Sequence, residues 1–461
     1  MSKPDPYVAL LERKHSALPA AGLASMPRLH PKLFGYQREA VEWALQLGRA
    51  ALFFDCGLGK TACQVTWAQA VVNALGRPAL ILAPLAVSQQ TVREGVKFDV
   101  PVTYCEDMSQ VTAGVNITNY ERVDRFDSGA FGSVVLDESS ILKAYSGPTK
   151  RALCDAFANT PFRLCCSATP APNDHMELGN HAEFLSVMTS HEMLARWFLN
   201  DTTTAGNYRL KGHAVVPFWD WVTSWARCAG KPSDVGHSDD GFVLPELHVH
   251  EHVIGVDMLE DRGDQLFRMP EMTATSVHRE KRRTAGARAA GVAAAVRAEP
   301  SEQWLVWTDT DYEADALKDA LPEAVDVRGG AAASAKERAL LDFADGAIRF
   351  LITKPKLAGL GMNFQQCARV AFVGPSFSFE QYYQAVRRVW RFGQTRPVHV
   401  HIFMAQSEAA VWGVVRRKAD GHETMKQEMF AAAKRALMRE SRTVSYQPRH
   451  RAALPAWLRT V

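Results

Sequence analysis

Short apolar runs separated by helix-patterned stretches recur along this chain, and that alternation limits the fold more than any other feature. ALFF at 51–54, ALILAP at 79–84, SVVLDE at 133–138 and FRLCCSAT at 162–169 form one series. WLVWTD at 304–309, RFLITK at 349–354 and RVAFVG at 369–374 form a second. Apolar, β-branched runs without strict alternation fit strands covered on both faces, and strands alternating with helices build parallel sheets. Two series predict two α/β domains, and 461 residues suffice for more than one core.

Between the series the pattern changes. Residues 190–246 are rich in Trp and Phe (Trp197, Phe198, Phe218, Trp219, Trp221, Trp225) and end in the polar run KPSDVGHSDDGF. This reads as a mainly helical insertion and linker, its aromatics forming a small core rather than a base-stacking platform. LHVHEHVIGV at 247–256 alternates as a strand, with His248, His250 and His252 on one face. Three histidines could hold a metal, but no carboxylate or cysteine stands at a suitable spacing. The domain plan is then an N-terminal segment (1–30), a first lobe (31–189), the insertion (190–246), a second lobe (247–420) and a basic tail (421–461), which begins as an amphipathic helix.

Composition narrows the class. With 47% hydrophobic and 22% charged residues, wholesale disorder is excluded. The net charge of +3 says little, but Lys and Arg gather in the last sixty or so residues and again at Arg279–Arg297. Such clusters can track a phosphate backbone or simply solvate a helix face. The eight cysteines contain no C-x-x-C pair, which fits reduced thiols. No apolar run is long enough for a signal peptide or a membrane span, so a cytoplasmic protein without membrane partners is expected.

Two local patterns carry chemistry. DCGLGKT at 55–61 follows the strand ALFF directly and opens a helical stretch, the context a phosphate-binding loop requires. Gly57, Leu58 and Gly59 would bring backbone N–H groups to the phosphates, Lys60 would reach the β- and γ-phosphates, and Thr61 would ligate Mg²⁺. The longer form of the pattern has Gly where this chain has Phe54. The second pattern is VVLDESS at 134–140, an apolar strand ending in two acids at the carboxyl edge of a sheet, where open α/β folds bind ligands. Asp137 there suits Mg²⁺, and Glu138 suits a general base acting on water.

Taken together and in this order, the motifs resemble helicase superfamily two, the DEAD/DEAH-box-like ATPases, and within it the Swi/Snf-type translocases and their small phage relatives. The resemblance runs from about residue 30 to about residue 405. It implies two RecA-like lobes that hydrolyse ATP with Mg²⁺ in the cleft between them. FGYQREAVEWAL at 34–45 resembles the adenine-recognition motif, with Gln37 offering a donor and an acceptor to the base edge. LAPLAVSQQ at 82–90 resembles a strand-holding motif, which implies Ser88 and Gln89 as nucleic-acid contacts. SAT at 167–169 resembles the element that couples nucleotide to nucleic acid, through Ser167 and Thr169. AGLGMNFQQ at 358–366 resembles the fifth motif, with Gly359 and Gly361 in a tight turn and Asn363 toward nucleic acid. QAVRRVWRFGQ at 384–394 is close to the Swi/Snf form of the sixth motif. It implies Gln384 at the nucleotide and Arg388 and Arg391, three apart on one helix face, as arginine fingers. One departure stands out: the acidic box reads DESS, where relatives have Ala or Cys, then His.

The function implied is an ATP-driven motor on nucleic acid, first of all a double-stranded DNA translocase. A strand-separating DNA or RNA helicase and an ATP-gated nucleic-acid clamp remain as alternatives. Phage or host replication and recombination proteins are the implied partners.

Overall fold

The computed structural model describes residues 21–84, 87–144, 147–200, 208–255, 274–355, 363–374, 376 and 378–442. Two fully parallel sheets form its frame, as the two series of apolar runs predict.

The first sheet contains β1 (Arg49–Phe54), β2 (Ala79–Ala83), β3 (Val102–Tyr104), β4 (Val115–Asn119), β5 (Ser133–Asp137) and β6 (Phe162–Cys166). Every residue of β2, β4, β5 and β6 is buried, because helices cover both faces. Alternate residues feed two separate cores. Phe53, Leu82, Leu136 and Cys165 pack on one face, while Leu52, Ile81, Val135 and Leu164 pack on the other.

The aromatic segment does not stand apart as an insertion. After a helix (Ser190–Trp197), a small hairpin of β7 (Phe198–Asn200) and β8 (Tyr208–Leu210), and a second helix (Val215–Trp225), the chain enters β9 (Ala226–Ala229). Strand β9 pairs in parallel with β1 and completes the first sheet in the order β3-β4-β2-β5-β6-β1-β9. Trp197, Phe198, Phe218, Trp219 and Trp225 share one cluster with Phe53 and Leu136. They are core, as expected, but the core is that of the first lobe. The four-residue run ARCA was too short to read as a strand, which hid this continuation.

The second sheet has the order β10-β15-β14-β11-β13-β12. Its strands are β10 (Leu247–Ile254), β11 (Trp304–Trp307), β12 (Val325–Val327), β13 (Phe350–Thr353), β14 (Arg369–Val373) and β15 (Val398–Ala405). The histidines of β10 lie beside His399 and His401 of β15, with His250 and His399 2.9 Å apart and His252 and His401 3.0 Å apart through ring nitrogens. They bond to one another, and among the described residues no group of three or more His, Cys, Asp or Glu is placed to hold a metal. The basic run at 279–297 turns partly inward. Arg288 is fully buried, with its Nη1 2.8 Å from Glu313 Oε1, and Lys281 is 3.2 Å from Asp309.

The basic helix expected after about residue 420 starts earlier and runs unbroken over Ala409–Arg442. Its first turns belong to the second lobe's core through Trp412 and Val415. Further along, Met425, Met429 and Ala432 enter the first lobe's core, beside the helix Val215–Trp225. At 1.5 Å per residue such a helix is about 50 Å long, enough to cross from one lobe to the other. Trp219 donates to Glu428 at 2.5 Å, and Arg435 pairs with Asp220 at 3.1 Å. The rest of the basic tail, after residue 442, and the N-terminal residues 1–20 lie outside the described residues. All eight cysteines are free. No described helix is long and apolar enough to cross a membrane.

Candidate active site

The carboxyl ends of β1, β6 and β5, three adjacent strands, present the phosphate loop, the SAT element and the acidic pair side by side. The loop turns at Gly57 (φ 94°) and Gly59 (φ 71°) before the helix Lys60–Leu75 begins. Both are left-handed backbone positions that favour glycine. At Gly59 a Cβ would also lie 2.3 Å from Gln37 Nε2. Lys60 Nζ donates to the Phe54 carbonyl at 2.9 Å, folded back on its own loop.

Gln37 is 4% exposed and acts as a strut under this loop. Its Nε2 donates to Leu58 O at 3.0 Å, and its Oε1 accepts from Phe34 N at 3.0 Å. The Tyr36 hydroxyl donates to the same Leu58 carbonyl at 2.9 Å. The amide expected at the adenine edge is thus engaged with the loop, and Leu58 joins the site through its carbonyl.

At the end of β5, Asp137 Oδ1 accepts from Gln64 Nε2 at 2.7 Å and from Glu138 N at 3.1 Å. Gln64 sits on the helix that Lys60 and Thr61 begin, so Asp137 is tied to the loop's own helix. Burial raises its carboxyl, and Gln64 and Lys60 work against that rise. Glu138 adopts φ 52° and ψ 55°, a left-handed conformation that costs a non-glycine residue about 1–3 kcal/mol. Its Oε2 is buried without a hydrogen-bond partner. Burial raises the Glu138 carboxyl above the ordinary range, Asp137 and Glu380 add to the rise, and Lys60 and Arg388 oppose it. A carboxyl raised toward neutral pH, with an oxygen not already engaged, suits a general base for water.

The two serines that replace the usual residues of the acidic box have separate partners. Ser139 Oγ meets His181 Nε2 at 3.1 Å, and the buried His181 is pushed down to about 4 by its desolvation. Ser140 Oγ donates to Glu380 Oε1 at 2.7 Å, and Lys143 pairs with Glu380 Oε2 at 2.5 Å. Glu380 belongs to the second lobe, so the acidic box touches the opposite lobe directly. In the SAT element, Thr169 N donates to Ser167 Oγ at 3.0 Å, which makes Ser167 a local turn cap, while the buried Thr169 Oγ1 has no partner.

From the second lobe, the helix Phe379–Val386 points its first turn at this edge, with Ser378 Oγ capping Gln381 N at 3.2 Å. Its aromatics pack within and beside the second lobe: Tyr382 against Phe372 and Trp412, Phe379 and Tyr383 against His422. Gln384 lies half-buried on the same helix. The charge of Arg388 reaches both Asp137 and Glu138. Arg391 donates to Asn363 Oδ1, and burial lowers its guanidinium. Phe392 N lies 3.1 Å from where a Cβ on Gly57 would stand, so the WRFGQ segment touches the phosphate loop. Ser88 is buried with its hydroxyl unpartnered, and Gln89 is exposed. Gly359 and Gly361 lie outside the described residues.

Sequence reasoning missed Asp55, Glu380, Tyr383 and Arg387 as cleft residues. Asp55 Oδ1 meets Arg387 Nη2 at 3.1 Å and accepts from the Tyr383 hydroxyl, so it joins the lobes beside the phosphate loop. Its place inside the DCGLGKT motif was the available signal, but nothing local names its partners.

Two parallel-sheet lobes bring a phosphate loop, an acidic pair and opposed arginines to one cleft, an arrangement like that of helicase-type ATPases. Residues 290–393 match the model of the helicase conserved C-terminal domain. Among curated proteins, the chain is 22% identical over 430 residues to protein p41 of Acyrthosiphon pisum secondary endosymbiont phage 1, covering 80% of this chain and 92% of that one. Among solved structures, it is similar to the ATP-dependent Type ISP restriction-modification enzyme LlaBIII bound to DNA, at 14% identity and a TM-score of 0.52. That match covers 86% of this chain and 30% of the other. A further match is the Sulfolobus solfataricus SWI2/SNF2 ATPase core in complex with dsDNA, at 16% identity and a TM-score of 0.42, covering 90% of this chain and 97% of that one.

Proposed function

We propose that the chain is a nucleic-acid-dependent motor that hydrolyses ATP between its lobes and moves along double-stranded DNA. The observation that carries this reading is the seating of the arginine segment of one lobe on the phosphate loop of the other, with Arg387 donating to Cys56 O at 2.9 Å and Phe392 N lying 3.1 Å from where a Cβ on Gly57 would stand, which sets Glu138 up as general base and Arg388 as transition-state cation. ATP would sit on the phosphate loop, its phosphates held by the N–H groups after Gly57 and by Lys60 swung out from Phe54 O. The residues present fit Mg²⁺: a hydroxyl (Thr61) and a carboxylate (Asp137) on tied elements suit a cation that takes few protein ligands and completes its shell with phosphate and water. When bound, that ion neutralises charge on the phosphates. Glu138 would take a proton from the attacking water through its free Oε2, and Arg388 would stabilise charge on the γ-phosphoryl group. Closing and reopening the cleft would shift one lobe's grip on the nucleic acid relative to the other's.

Duplex DNA as the track is supported by the WRFGQ form of the sixth motif, and DNA as the nucleic acid by the DNA bound to the LlaBIII enzyme. The test is the steady-state ATPase rate without nucleic acid and with duplex DNA, single-stranded DNA and RNA, beside a Glu138→Gln control. Stimulation by duplex, absent in the control, supports the translocase. Stimulation only by single strands or RNA replaces it with the helicase, and tight ATP binding without turnover replaces it with the clamp.

A further inference from the structure

Asp55, the first residue of the phosphate loop, is 6% exposed. Burying a lone carboxylate is costly, and removing one partner of a buried pair strands the other. Asp55 has partners from the opposite lobe and from the C-terminal helix that crosses between the lobes. Its Oδ1 meets Arg387 Nη2 at 3.1 Å and the Tyr383 hydroxyl, and also accepts from Cys56 N at 2.7 Å. Its Oδ2 pairs with Lys426 Nζ at 3.0 Å. Arg387 Nη2 also donates to Cys56 O at 2.9 Å, and its guanidinium lies over the Trp390 ring. Burial alone would raise the Asp55 carboxyl, but Arg387 and Lys426 outweigh it and hold it well below the usual range.

The positions of these cations matter more than their number. Arg387 immediately precedes Arg388 and lies four residues before Arg391. Lys426 is on the C-terminal helix, close to where Met425 and Met429 enter the first lobe's core. One carboxylate on the phosphate loop therefore ties down both the arginine segment and the helix that crosses the lobes.

We propose that Arg387 and Lys426 are positioning residues of the ATPase: through the buried carboxylate of Asp55 they hold the phosphate loop in register with Arg388 and Arg391, and they make closure of the cleft depend on the C-terminal helix. The energetics suit a joint that must open. Charges gain one another when the lobes meet and regain water when they part, so the net preference is small and easily biased. Loss of Lys426 unbalances the closed state only. It leaves the phosphate loop's own contacts to nucleotide in place, so turnover falls while ATP affinity holds.

This inference rests on the ATPase reading, and its test separates the two. In the full chain, Lys426→Met and Lys426→Arg are compared with the parent by two readouts. One is the steady-state kcat and KM for ATP. The other is the nucleotide-free distance between labels placed at the exposed Val96 and Leu341, one on each lobe. The expected result for Lys426→Met is a longer distance and a kcat lower by about tenfold, with KM within about threefold. Lys426→Arg restores both, because a guanidinium can also pair with Asp55. An unchanged distance and kcat in Lys426→Met overturns the proposal, as does a loss that Lys426→Arg fails to restore. If the parent hydrolyses no ATP, the ATPase reading fails, and the distance alone decides the role of Lys426.

Discussion

Two buried carboxylates lie at the same sheet edge, on either side of β6, and the protein treats them in opposite ways. Asp55 is surrounded by Arg387, Lys426, Tyr383 and the Cys56 N–H, and is held below the usual carboxylate range. Glu138 has a strained backbone, a buried oxygen without a partner, and a carboxyl raised by burial. A fully paired carboxylate is stable and chemically idle, and an under-paired one is costly and basic. On the proposed reading the contrast separates a joint from a reactive centre, although both lie beside the phosphate loop and both face lysine and arginine.

Removing the cation that faces the reactive centre gives the largest expected effect. Arg388→Ala should lower kcat by roughly 10³-fold or more, the range of arginine fingers in other phosphoryl-transfer enzymes. ATP binding, measured with a fluorescent analogue, should persist because the phosphate loop is untouched. A loss below about tenfold would assign the role to another cation.

Glu138→Gln keeps the shape and removes the base, so kcat should fall by about 10²-fold or more. The parent's pH profile carries the same information. The base works only when deprotonated and its carboxyl is raised, so the acid limb of kcat should lie above the ordinary glutamate value of 4.5. An acid limb at or below that value contradicts the contrast with Asp55.

The reactive centre was far more legible in the sequence than the joint. DCGLGKT and VVLDESS each carry their chemistry within a few residues, because a strand end, a turn and a helix start are local structures. The frame was legible for a related reason: buried parallel strands leave uninterrupted apolar runs such as ALILAP. The Asp55 cluster joins residues more than 300 positions apart through Tyr383, Arg387 and Lys426, and no spacing rule links them. The same holds for β9, whose four residues become a strand only because β1 offers an edge. The basic helix was visible as a pattern, but its charges read equally well as a surface for phosphates. Its apolar positions Met425, Met429 and Ala432, set against the first lobe, and its bonds to Trp219 and Asp220 show that it crosses between lobes.

A smaller effect is expected at the joint. Asp55→Asn leaves two cations facing a neutral amide, a change that costs about 3–5 kcal/mol when one member of a buried pair is lost. It should appear as a lower denaturation midpoint. The pH dependence has a definite sign. The folded-state value is lowered, so the stabilisation is complete above the unfolded value of about 3.8 and is lost as pH falls through that value toward the folded one. The gap in stability between parent and Asp55→Asn should therefore narrow below about pH 4. A gap that does not change with acidity would mean that the carboxylate charge is not what joins the lobes.

The smallest effect tests whether the reactive centre also feels the opposite lobe. Ser140 and Lys143 both bind Glu380, so Ser140→Ala removes one of two links between the acidic box and the helix Phe379–Val386. The remaining ion pair keeps Glu380 near its place. The lost hydrogen bond is worth about 0.5–1.5 kcal/mol, which limits the fall in kcat to about tenfold. Lys143→Met with Ser140→Ala should exceed the product of the single losses, because Glu380 then faces the raised Glu138 without a donor. Simple multiplication of the two effects would show that Glu380 is held independently of the acidic box. The reactive centre would then have no link to the second lobe through Glu380, and Asp55 would remain the joint beside the phosphate loop.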